Sequence, residues 1–417
     1  MLDLKWIRGN VEKTRAGLAA KNASIPLDEL LELDQKRRAL SREVDDLKAH
    51  RNLASDEIAR LKRNGQAIDD KTADLKTLSQ KIGDLDKEVG CFSEKIDHIL
   101  YRIPNLPLPE VPVAPGPTGN KIVKTWGEPR KFDFKAQDHL ALAQKNGWVN
   151  MEWGSKIAGA GFAVYKGQGA RLERGLINFM IDLHTRKHGY TEIWPPALVN
   201  RQSMTGTGQL PKMEEDMYKL RDDEYFLIPT AEVPVTNLLR DEVLDEDMLP
   251  VKFTAYSPCF RREAGSYGKD TRGLSRVHQF DKVELVKFAH PSRGEEELQD
   301  LLGHAEAVLQ ALELPYRVVL LGSGDMSFAA AKCYDLEVWA PGTQKWFEVS
   351  SCSLFGDFQA RRANIRFRPK GGKKPEYVYT LNGSGLALAR IVLSLMENGQ
   401  TAGGEIEFPA ALKPYVS

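Results

Sequence analysis

An arginine and two glutamates near a short glycine-containing loop are the first residues whose types and spacing suggest chemistry. Arg261 and Glu263 follow the segment AYSPCF, and Glu284 lies in the later segment RVHQFDKVELVKF. The loop between these segments holds Gly265, Gly268 and Gly273. Side chains alternate along a strand, so Arg261 and Glu263 share one face, as do Lys282 and Glu284. Because guanidinium binds phosphate and carboxylate accepts from amines, the set predicts a site for a phosphorylated, amine-bearing ligand; a surface hairpin with salt bridges is the alternative.

Three further segments carry polar residues of the same kinds. They are Thr230 and Glu232 in IPTAEVPVTNLL, Glu348 and Ser351 in FEVSSCS, and Ser384 and Arg390 in LNGSGLALARIV. We predict that a helix begins after Ser384 and places Arg390 on its second turn. Taken singly, each segment has a structural explanation as a helix cap, an exposed carboxylate or a surface charge.

Composition and missing motifs exclude several classes of protein. Neither a P-loop nor a strand-linked G-x-G-x-x-G sequence is present, which argues against those two nucleotide-binding folds. Lys plus Arg and Asp plus Glu number 58 each, so net charge gives no evidence for a nucleic-acid partner. The four cysteines form no C-x-x-C pair and are interpreted as reduced cytosolic thiols.

The chain is predicted to be a soluble cytoplasmic protein without a membrane partner. Its first residues, MLDLKWIRGNVEKTRAGLAAKN, are charged throughout and lack the apolar stretch of a secretory signal. No run approaches the roughly 18 apolar residues that a membrane span requires.

The first hundred residues follow a heptad pattern, with apolar positions at alternating steps of three and four. One set is Leu30, Leu33, Leu40, Val44, Leu47, Ala54, Ile58 and Leu61, and the other is Leu75, Leu78, Ile82, Leu85, Val89, Phe92, Ile96, Ile99 and Ile103. Asn64 and Gly65 form a turn between them, which predicts an antiparallel helical hairpin roughly 45 to 55 Å long. Its outer basic residues suit a solvated surface, a protein partner or an RNA backbone: Lys36, Arg38, Arg42, Lys48, Arg60, Lys62, Arg63 and Lys71.

A proline-rich stretch at residues 104–120 separates this arm from the rest of the chain. We predict a helical arm at residues 1–105, a linker and lead-in at 106–134, and a larger globular domain at 135–417. The last domain mixes a helix at residues 169–189 with strands such as YRVVLL, CYDLEVWAP and KWFEVSSC. The fold class is therefore α+β, with a mainly antiparallel sheet flanked by helices.

Read together, these segments closely resemble the bacterial-type seryl-tRNA synthetase family of class II aminoacyl-tRNA synthetases. Three segments resemble the class II motifs in order. KHGYTEIWPPALV resembles motif 1, FRREAGSYGKDTRGLSRVHQF resembles motif 2, and NGSGLALARIVLSLMEN resembles motif 3. GTGQLPKMEEDMYKL, TAEVPVTNLL and SSCSLFGDFQARRANIRFR are more particular to the seryl enzymes. The resemblance covers nearly the whole chain and implies that the helical hairpin binds tRNA.

Carried onto this sequence, the resemblance implies a serine pocket formed by Thr230, Ala231 and Glu232, with Glu284 and Ser384 near the serine hydroxyl. Its implied ATP-binding residues are Arg261, Arg262, Glu263, Arg276, Glu348, Val349, Ser350, Ser351 and Arg390. Arg261 on the α-phosphate and Arg390 on the terminal phosphate are the catalytic pair, Glu263 lies near the adenine, and Glu348 and Ser351 are the implied Mg²⁺ ligands. His278 receives a structural role.

The implied activity is ATP-dependent formation of seryl-adenylate, followed by transfer of serine to tRNA(Ser), with tRNA(Sec) as a further candidate. The implied partners are L-serine, ATP with Mg²⁺, tRNA and a second copy of the chain in a homodimer. There are two alternatives to this activity. One is a non-catalytic paralogue that acts as an RNA-binding or regulatory protein, and the other is an adenylating ligase that loads a carrier protein. Three positions depart from the usual family pattern. Leu354 stands where the family usually has Asn, Arg262 where it usually has Ser or Thr, and Gly399 where it usually has an aromatic residue.

Overall fold

The computed structural model describes residues 1–264, 273–372 and 374–417. Two compact units are present: one comprises residues 2–19 and 23–103, and the other comprises Met1, residues 20–22 and residues 104–417. Gly265 and Gly268, which we assigned to the loop of motif 2, lie outside the described residues.

Thirteen α-helices and fifteen strands follow one another in the described residues. The helices are α1 Leu4–Gly9, α2 Val11–Ala20, α3 Leu27–Arg63, α4 Asp69–Leu100, α5 His139–Asn146, α6 Met151–Ala158, α7 Gln168–Lys187, α8 Arg201–Thr207, α9 Glu232–Asn237, α10 Gly294–Ala311, α11 Phe358–Ala363, α12 Leu388–Gly399 and α13 Lys413–Val416. The strands are β1 Lys121–Trp126, β2 Val149–Asn150, β3 Val164–Tyr165, β4 Thr191–Ile193, β5 Leu198–Asn200, β6 Tyr225–Leu227, β7 Val243–Asp245, β8 Val251–Phe260, β9 Gln279–Ala289, β10 Tyr316–Leu320, β11 Lys332–Ala340, β12 Lys345–Gly356, β13 Arg366–Arg368, β14 Glu376–Tyr377 and β15 Tyr379–Ala387.

The helical unit contains the predicted hairpin, formed by α3 and α4. Val44 and Ile82 are buried along its seam, where the heptad pattern places apolar side chains. Lys48 pairs with Asp86 at 2.9 Å, which is the cross-helix contact expected for antiparallel helices. The first helix ends at the predicted turn, since Asn64 caps it and Gly65 follows with φ +68°.

A buried carboxylate fixes the first helix of this unit onto the hairpin. Asp34 on α3 is fully buried and accepts hydrogen bonds from Arg8 at 2.8 Å, Arg37 at 2.9 Å and Arg38 at 3.0 Å. Three guanidinium partners compensate the desolvation of one carboxylate, so Arg38 is engaged within the protein itself.

The larger unit is built on an eight-stranded sheet with the order β1-β10-β11-β12-β15-β9-β8-β4. All neighbouring pairs are antiparallel except β4 and β8. Val283 and Leu285 of β9 pack in the core that includes α7, α10 and α12, whereas Val286 and Phe288 join a second cluster that includes α9 and α11. The period-two alternation along this strand and the predicted α+β fold are confirmed.

The start of the last long helix differs from our expectation. β15 continues through Ser384 to Ala387, and α12 begins only at Leu388, so Arg390 lies in its first turn rather than its second. The reason is tertiary pairing: Ala387 pairs with Lys282 of β9, which keeps the chain extended beyond Ser384. Backbone pairing in the sheet therefore overrides the local helical pattern.

Among the described residues, no helix combines the length and the apolar character needed to cross a bilayer.

A buried carboxyl group on α7 gives a stability prediction. Glu173 is 6% exposed, and neither carboxyl oxygen has a hydrogen-bond partner among the described residues. Burial raises the pKa of Glu173 well above its usual range, and Asp281 raises it further. The folded state therefore retains a proton that the unfolded chain releases above its ordinary pKa, so stability falls as pH rises.

We expect Glu173→Gln to remove this pH dependence, because the amide has no proton to release. The advantage of the variant over the wild type should grow by about 1.4 kcal/mol per pH unit until the folded-state pKa is reached. Denaturant unfolding between about pH 5 and pH 8 measures it. Parallel stability curves for the two proteins would contradict an uncompensated carboxyl group at this position.

Candidate active site

A cavity of about 580 Å³ opens on the sheet of the larger unit, a size typical of small-molecule sites. Most of the predicted site residues line it together, although they are far apart in sequence. They are Thr230, Glu232, Arg261, Glu263, Arg276, Glu348, Val349, Ser351, Ser384 and Arg390. The structure thus brings carboxylates, hydroxyls and three arginines to a single hollow.

A β-bulge explains how residues of uneven spacing on β12 reach the same wall. Ser350 pairs with Leu336 and Glu348 pairs with Glu337, which leaves Val349 as an extra residue without a partner on β11. Such an insertion shifts the alternation by one position. Glu348 and Ser351, three residues apart, consequently both line the cavity, and Val349 also contacts it.

One end of the cavity is a buried network of carboxylates and amides. Asn382 Nδ2 donates to Glu232 Oε2 at 3.1 Å and to Glu284 Oε1 at 2.7 Å. Lys282 Nζ lies 2.7 Å from Glu284 Oε2 and donates to Thr230 Oγ1 at 2.8 Å. This end can therefore accept hydrogen bonds from an amine or a hydroxyl group.

The carboxyl group of Glu232 is held from behind by an amide. Gln359 Nε2 on α11 donates to Glu232 Oε1 at 2.6 Å, and Gln359 Oε1 accepts from Thr380 Oγ1 at 2.8 Å. The pKa of Glu232 is raised to about 7, because burial and then the neighbouring Glu284 raise it more than Gln359, Lys282 and Arg261 lower it. Glu232 is the carboxyl group of this network that lines the cavity.

The other end of the cavity is cationic. The Arg261 guanidinium lies 5.2 Å from the centre of the Phe280 ring, and Arg276 pairs with Glu263 at 2.7 Å. Arg390 donates to the Glu348 carbonyl oxygen at 2.7 Å and to the Ser275 carbonyl oxygen at 3.1 Å. Arg390 Nη1 also lies 3.5 Å from Glu348 Oε2. These contacts orient the Arg390 guanidinium in the cavity wall, and guanidinium groups suit the recognition of a polyanion.

Four predicted site residues do not line the cavity. Glu284, which we expected to face the ligand directly, is fully buried, and it contacts two residues that do line the cavity, Lys282 and Asn382. Ser350 donates to the Ser384 carbonyl oxygen at 2.6 Å and so supports the wall. Ala231 packs in the second core cluster, and Arg262 is exposed with its backbone N–H bonded to Asp216.

Two other positions have structural roles. His278 donates its backbone N–H to the Gly161 carbonyl oxygen at 2.8 Å, and its Nδ1 lies 2.9 Å from the Arg261 carbonyl oxygen. It does not line the cavity. Leu354, one of the departures from the family pattern, is 3% exposed and packs in the main core, where it needs no hydrogen bond.

Sequence reasoning gave no role to four residues that shape the site. Lys282 and Phe280 line the cavity from β9, Asn382 joins the two carboxylates, and Gln359 holds Glu232. Lys282 and Phe280 could have been found, because they share the strand face of Glu284. No local signal identifies Asn382 or Gln359, since their partners are more than a hundred residues away along the chain or on another strand.

The donor set on the β12 wall fits Mg²⁺ only together with ligand phosphates. Among residues 1–264, 273–372 and 374–417, no group of three or more His, Cys, Asp or Glu side chains converges as a metal site. Glu348 and Ser351 supply one carboxylate and one hydroxyl. Mg²⁺ prefers such hard oxygen ligands and commonly binds one or two carboxylates plus substrate phosphates.

Comparison with known proteins matches both units. A family model for the seryl-tRNA synthetase N-terminal domain matches residues 1–107, and the class II tRNA synthetase core domain (G, H, P, S and T) matches residues 215–399. The serine–tRNA ligase of Pelobacter propionicus is 55% identical over 416 residues, which cover 100% of this chain and 98% of the relative. That of Thermomicrobium roseum is 53% identical and covers 100% and 93%.

Solved structures agree with these sequence relatives. Seryl-tRNA synthetase from Pyrococcus horikoshii complexed with ATP has a TM-score of 0.93 at 35% identity, covering 100% of this chain and 98% of that one. The cytoplasmic serine–tRNA ligase of Naegleria fowleri in complex with AMP has a TM-score of 0.86 at 29% identity, covering 99% and 95%. The chain therefore belongs to the seryl-tRNA synthetase family and is a serine–tRNA ligase built on the class II synthetase core.

Proposed function

We propose that this cavity joins L-serine to ATP, giving seryl-adenylate and pyrophosphate, and then transfers serine to tRNA(Ser). The proposal depends on one observation. The carboxylate network around Asn382 and the arginines Arg261 and Arg390 line the same cavity. An amino acid carries a positive ammonium group and a negative carboxylate. In the cavity, the carboxylate network can bind the ammonium group, and the arginines can bind the carboxylate.

Serine binds at the carboxylate end in this proposal. Glu232 and Thr230 accept hydrogen bonds from its ammonium group, and Ser384 lies where it can meet its hydroxyl. Glu284 orients the side chains of Lys282 and Asn382, which line the pocket. A ligand without the hydroxyl leaves buried polar groups unpaired, which can give selectivity of about 10⁴-fold. Threonine is excluded by its additional methyl group.

ATP binds at the cationic end. Arg261 contacts the α-phosphate, Arg390 contacts the terminal phosphate with assistance from Arg276, and Glu263 lies near the adenine. The Phe280 ring lies in the cavity wall, where an adenine base can stack on it. Glu348 and Ser351 would hold Mg²⁺, and the bound ion would neutralise phosphate charge.

The chemistry requires orientation and charge neutralisation more than proton transfer. Serine carboxylate is already ionised near neutral pH and attacks the α-phosphorus without a general base. The protein must hold two anions in line and offset the negative charge that develops on phosphorus. Arg261 and Arg390 supply positive charge for this purpose, which accounts for a site without a Ser-His-Asp arrangement.

The helical hairpin binds tRNA in this proposal. Residues 1–105 then form a tRNA-binding arm, residues 106–134 form a connection, and residues 135–417 form the catalytic domain.

We further propose a homodimer formed through the motif 1 strand. β4 ends the eight-stranded sheet, and the adjacent Trp194 is 78% exposed. An unpaired strand edge beside a large apolar side chain suits an isologous contact. All four cysteines are free thiols, which supports a cytoplasmic location.

Amino-acid-dependent ATP–pyrophosphate exchange tests the proposal. Serine should support exchange, while alanine, glycine and threonine at equal concentration should support it at least about 100-fold less. Equal rates with all four amino acids would contradict the proposed serine pocket. Absence of exchange with any of them would favour the non-catalytic alternative, which gains no support from the relatives.

A further inference from the structure

Among the residues that the structure describes, the carboxylate end of the cavity holds two acidic side chains and one closely paired cation. Glu232 is 7% exposed and Glu284 is fully buried. The amide of Asn382 reaches both, at 3.1 Å and 2.7 Å respectively. Two carboxylates that share one neutral donor in a buried site repel each other unless a positive charge or a proton compensates.

The available cation is engaged with only one of these carboxylates. Lys282 Nζ lies 2.7 Å from Glu284 Oε2, and its other contact is the hydroxyl of Thr230 at 2.8 Å. The contacts of Glu232 are instead neutral amides, from Gln359 and Asn382. Lys282 therefore balances Glu284, while no cationic side chain in the described part of the chain forms an ion pair with Glu232.

The charged groups that face Glu232 come from two strands. Glu284 and Lys282 belong to β9, and Arg261 follows β8. Burial, the largest effect, and the neighbouring Glu284 raise the pKa of Glu232, while Gln359, Lys282 and Arg261 lower it, and the net result is a pKa of about 7. Arg261 is directed elsewhere, over the Phe280 ring and toward the Pro229 carbonyl oxygen at 3.4 Å.

We infer that Glu232 is protonated in the ligand-free enzyme and that the ammonium group of the incoming serine displaces this proton. The inference rests on the proposed serine pocket and adds a proton exchange to it. The O–H bond of Glu232 breaks, its proton passes to solvent through the cavity, and the resulting carboxylate accepts a hydrogen bond from the ammonium group. No bond of serine breaks, and the network gains the positive charge it lacked.

This exchange makes serine affinity depend on pH in a defined direction. Below the pKa of Glu232 the proton competes with serine, so the Kd should fall about tenfold per pH unit as pH rises and then level off. It also selects for the ammonium group, because a hydroxy acid brings no positive charge to replace the proton.

Calorimetric titration of the full-length protein with L-serine tests the inference. Titrations in buffers of different ionisation enthalpy count the protons released on binding. We expect about one proton per site near pH 6 and almost none near pH 8.5. Serine binding without proton release at both pH values would overturn the inference and leave the serine pocket intact. No serine binding at either pH would overturn both.

Glu232→Gln is the matched variant, since its amide keeps the size and one acceptor of the protonated carboxyl group. We expect weaker serine binding with no proton release and no pH dependence between about pH 6 and pH 8.5. Infrared difference spectra give an independent readout: serine should remove the carbonyl band of a protonated carboxylic acid from the wild type and not from the variant. If the variant released as many protons as the wild type, the proton would have another source and the inference would be wrong.

Discussion

Shortening the helical hairpin is expected to reduce serine transfer to tRNA by more than about 1,000-fold while leaving serine-dependent ATP–pyrophosphate exchange within about twofold. Replacing residues 45–85 by a short glycine-containing turn removes the outer parts of α3 and α4. It retains Leu30, Leu33, Ile96 and Ile99, which are buried in the helical unit. The expected split arises because adenylate formation requires only the cavity, whereas transfer requires bound tRNA.

The structure narrows which basic residues of the arm can contact phosphate. Arg38, Lys48 and Lys71 are engaged with Asp34, Asp86 and Glu57. Near the turn, Arg60, Lys62 and Arg63 are exposed. Phosphate contacts are strongly salt-dependent, so these three residues should account for most of the salt dependence that the hairpin contributes.

A charge-only variant is the control for the truncation. Changing Arg60, Lys62 and Arg63 to Gln keeps both helices and should weaken tRNA charging, with a smaller dependence on salt concentration. Changing Lys48 and Lys71 to Gln should affect charging less, because these side chains already have partners. Normal charging by the truncated protein would contradict the role proposed for the arm.

Replacing Arg261 by Ala is expected to slow serine-dependent ATP–pyrophosphate exchange by about 10²- to 10³-fold, comparable to the loss of one donor that stabilises developing charge. Its guanidinium lies in the cavity wall, 5.2 Å from the centre of the Phe280 ring, at the cationic end where ATP is proposed to bind. The loss should appear mainly in the maximal rate, since the positive charge is most valuable when charge builds up on the α-phosphorus.

The neighbouring arginine provides a matched comparison. Arg262→Ala removes the same type of side chain one position further on, where the residue is exposed and does not line the cavity. Its exchange rate should stay within about tenfold of the wild type, as expected for a residue outside the reacting centre. Equal losses in the two variants would show that Arg261 has no special position at the phosphate.

The features that the sequence predicted well are those encoded locally. The heptad spacing and the Asn64-Gly65 turn predict the hairpin, and period-two alternation separates Lys282 and Glu284 from Val283 and Leu285. Both patterns depend on residues only a few positions apart. The placement of most site residues in one cavity came from the family resemblance, which supplied the long-range arrangement that local patterns do not contain.

The features that were missed depend on contacts between distant segments. The bulge at Val349 exists because β12 gains one residue relative to β11, and only the paired strands reveal it. Glu284 was expected to face the ligand, yet Lys282 on the same strand face and Asn382 on β15 cover it. The late start of α12 likewise follows from pairing with β9.

The spread of the cavity wall along the chain has a consequence for synthesis of the protein. Wall residues begin at Thr207, and the last of them, Arg390, follows the final strand of the sheet. During translation the polypeptide emerges from its amino end, so the terminal phosphate contact that we propose for Arg390 becomes available only after residue 390 has left the ribosome. We therefore expect a nascent chain that ends before residue 390 to consume no ATP, because the last strand and helix must fold into place before the proposed site is complete.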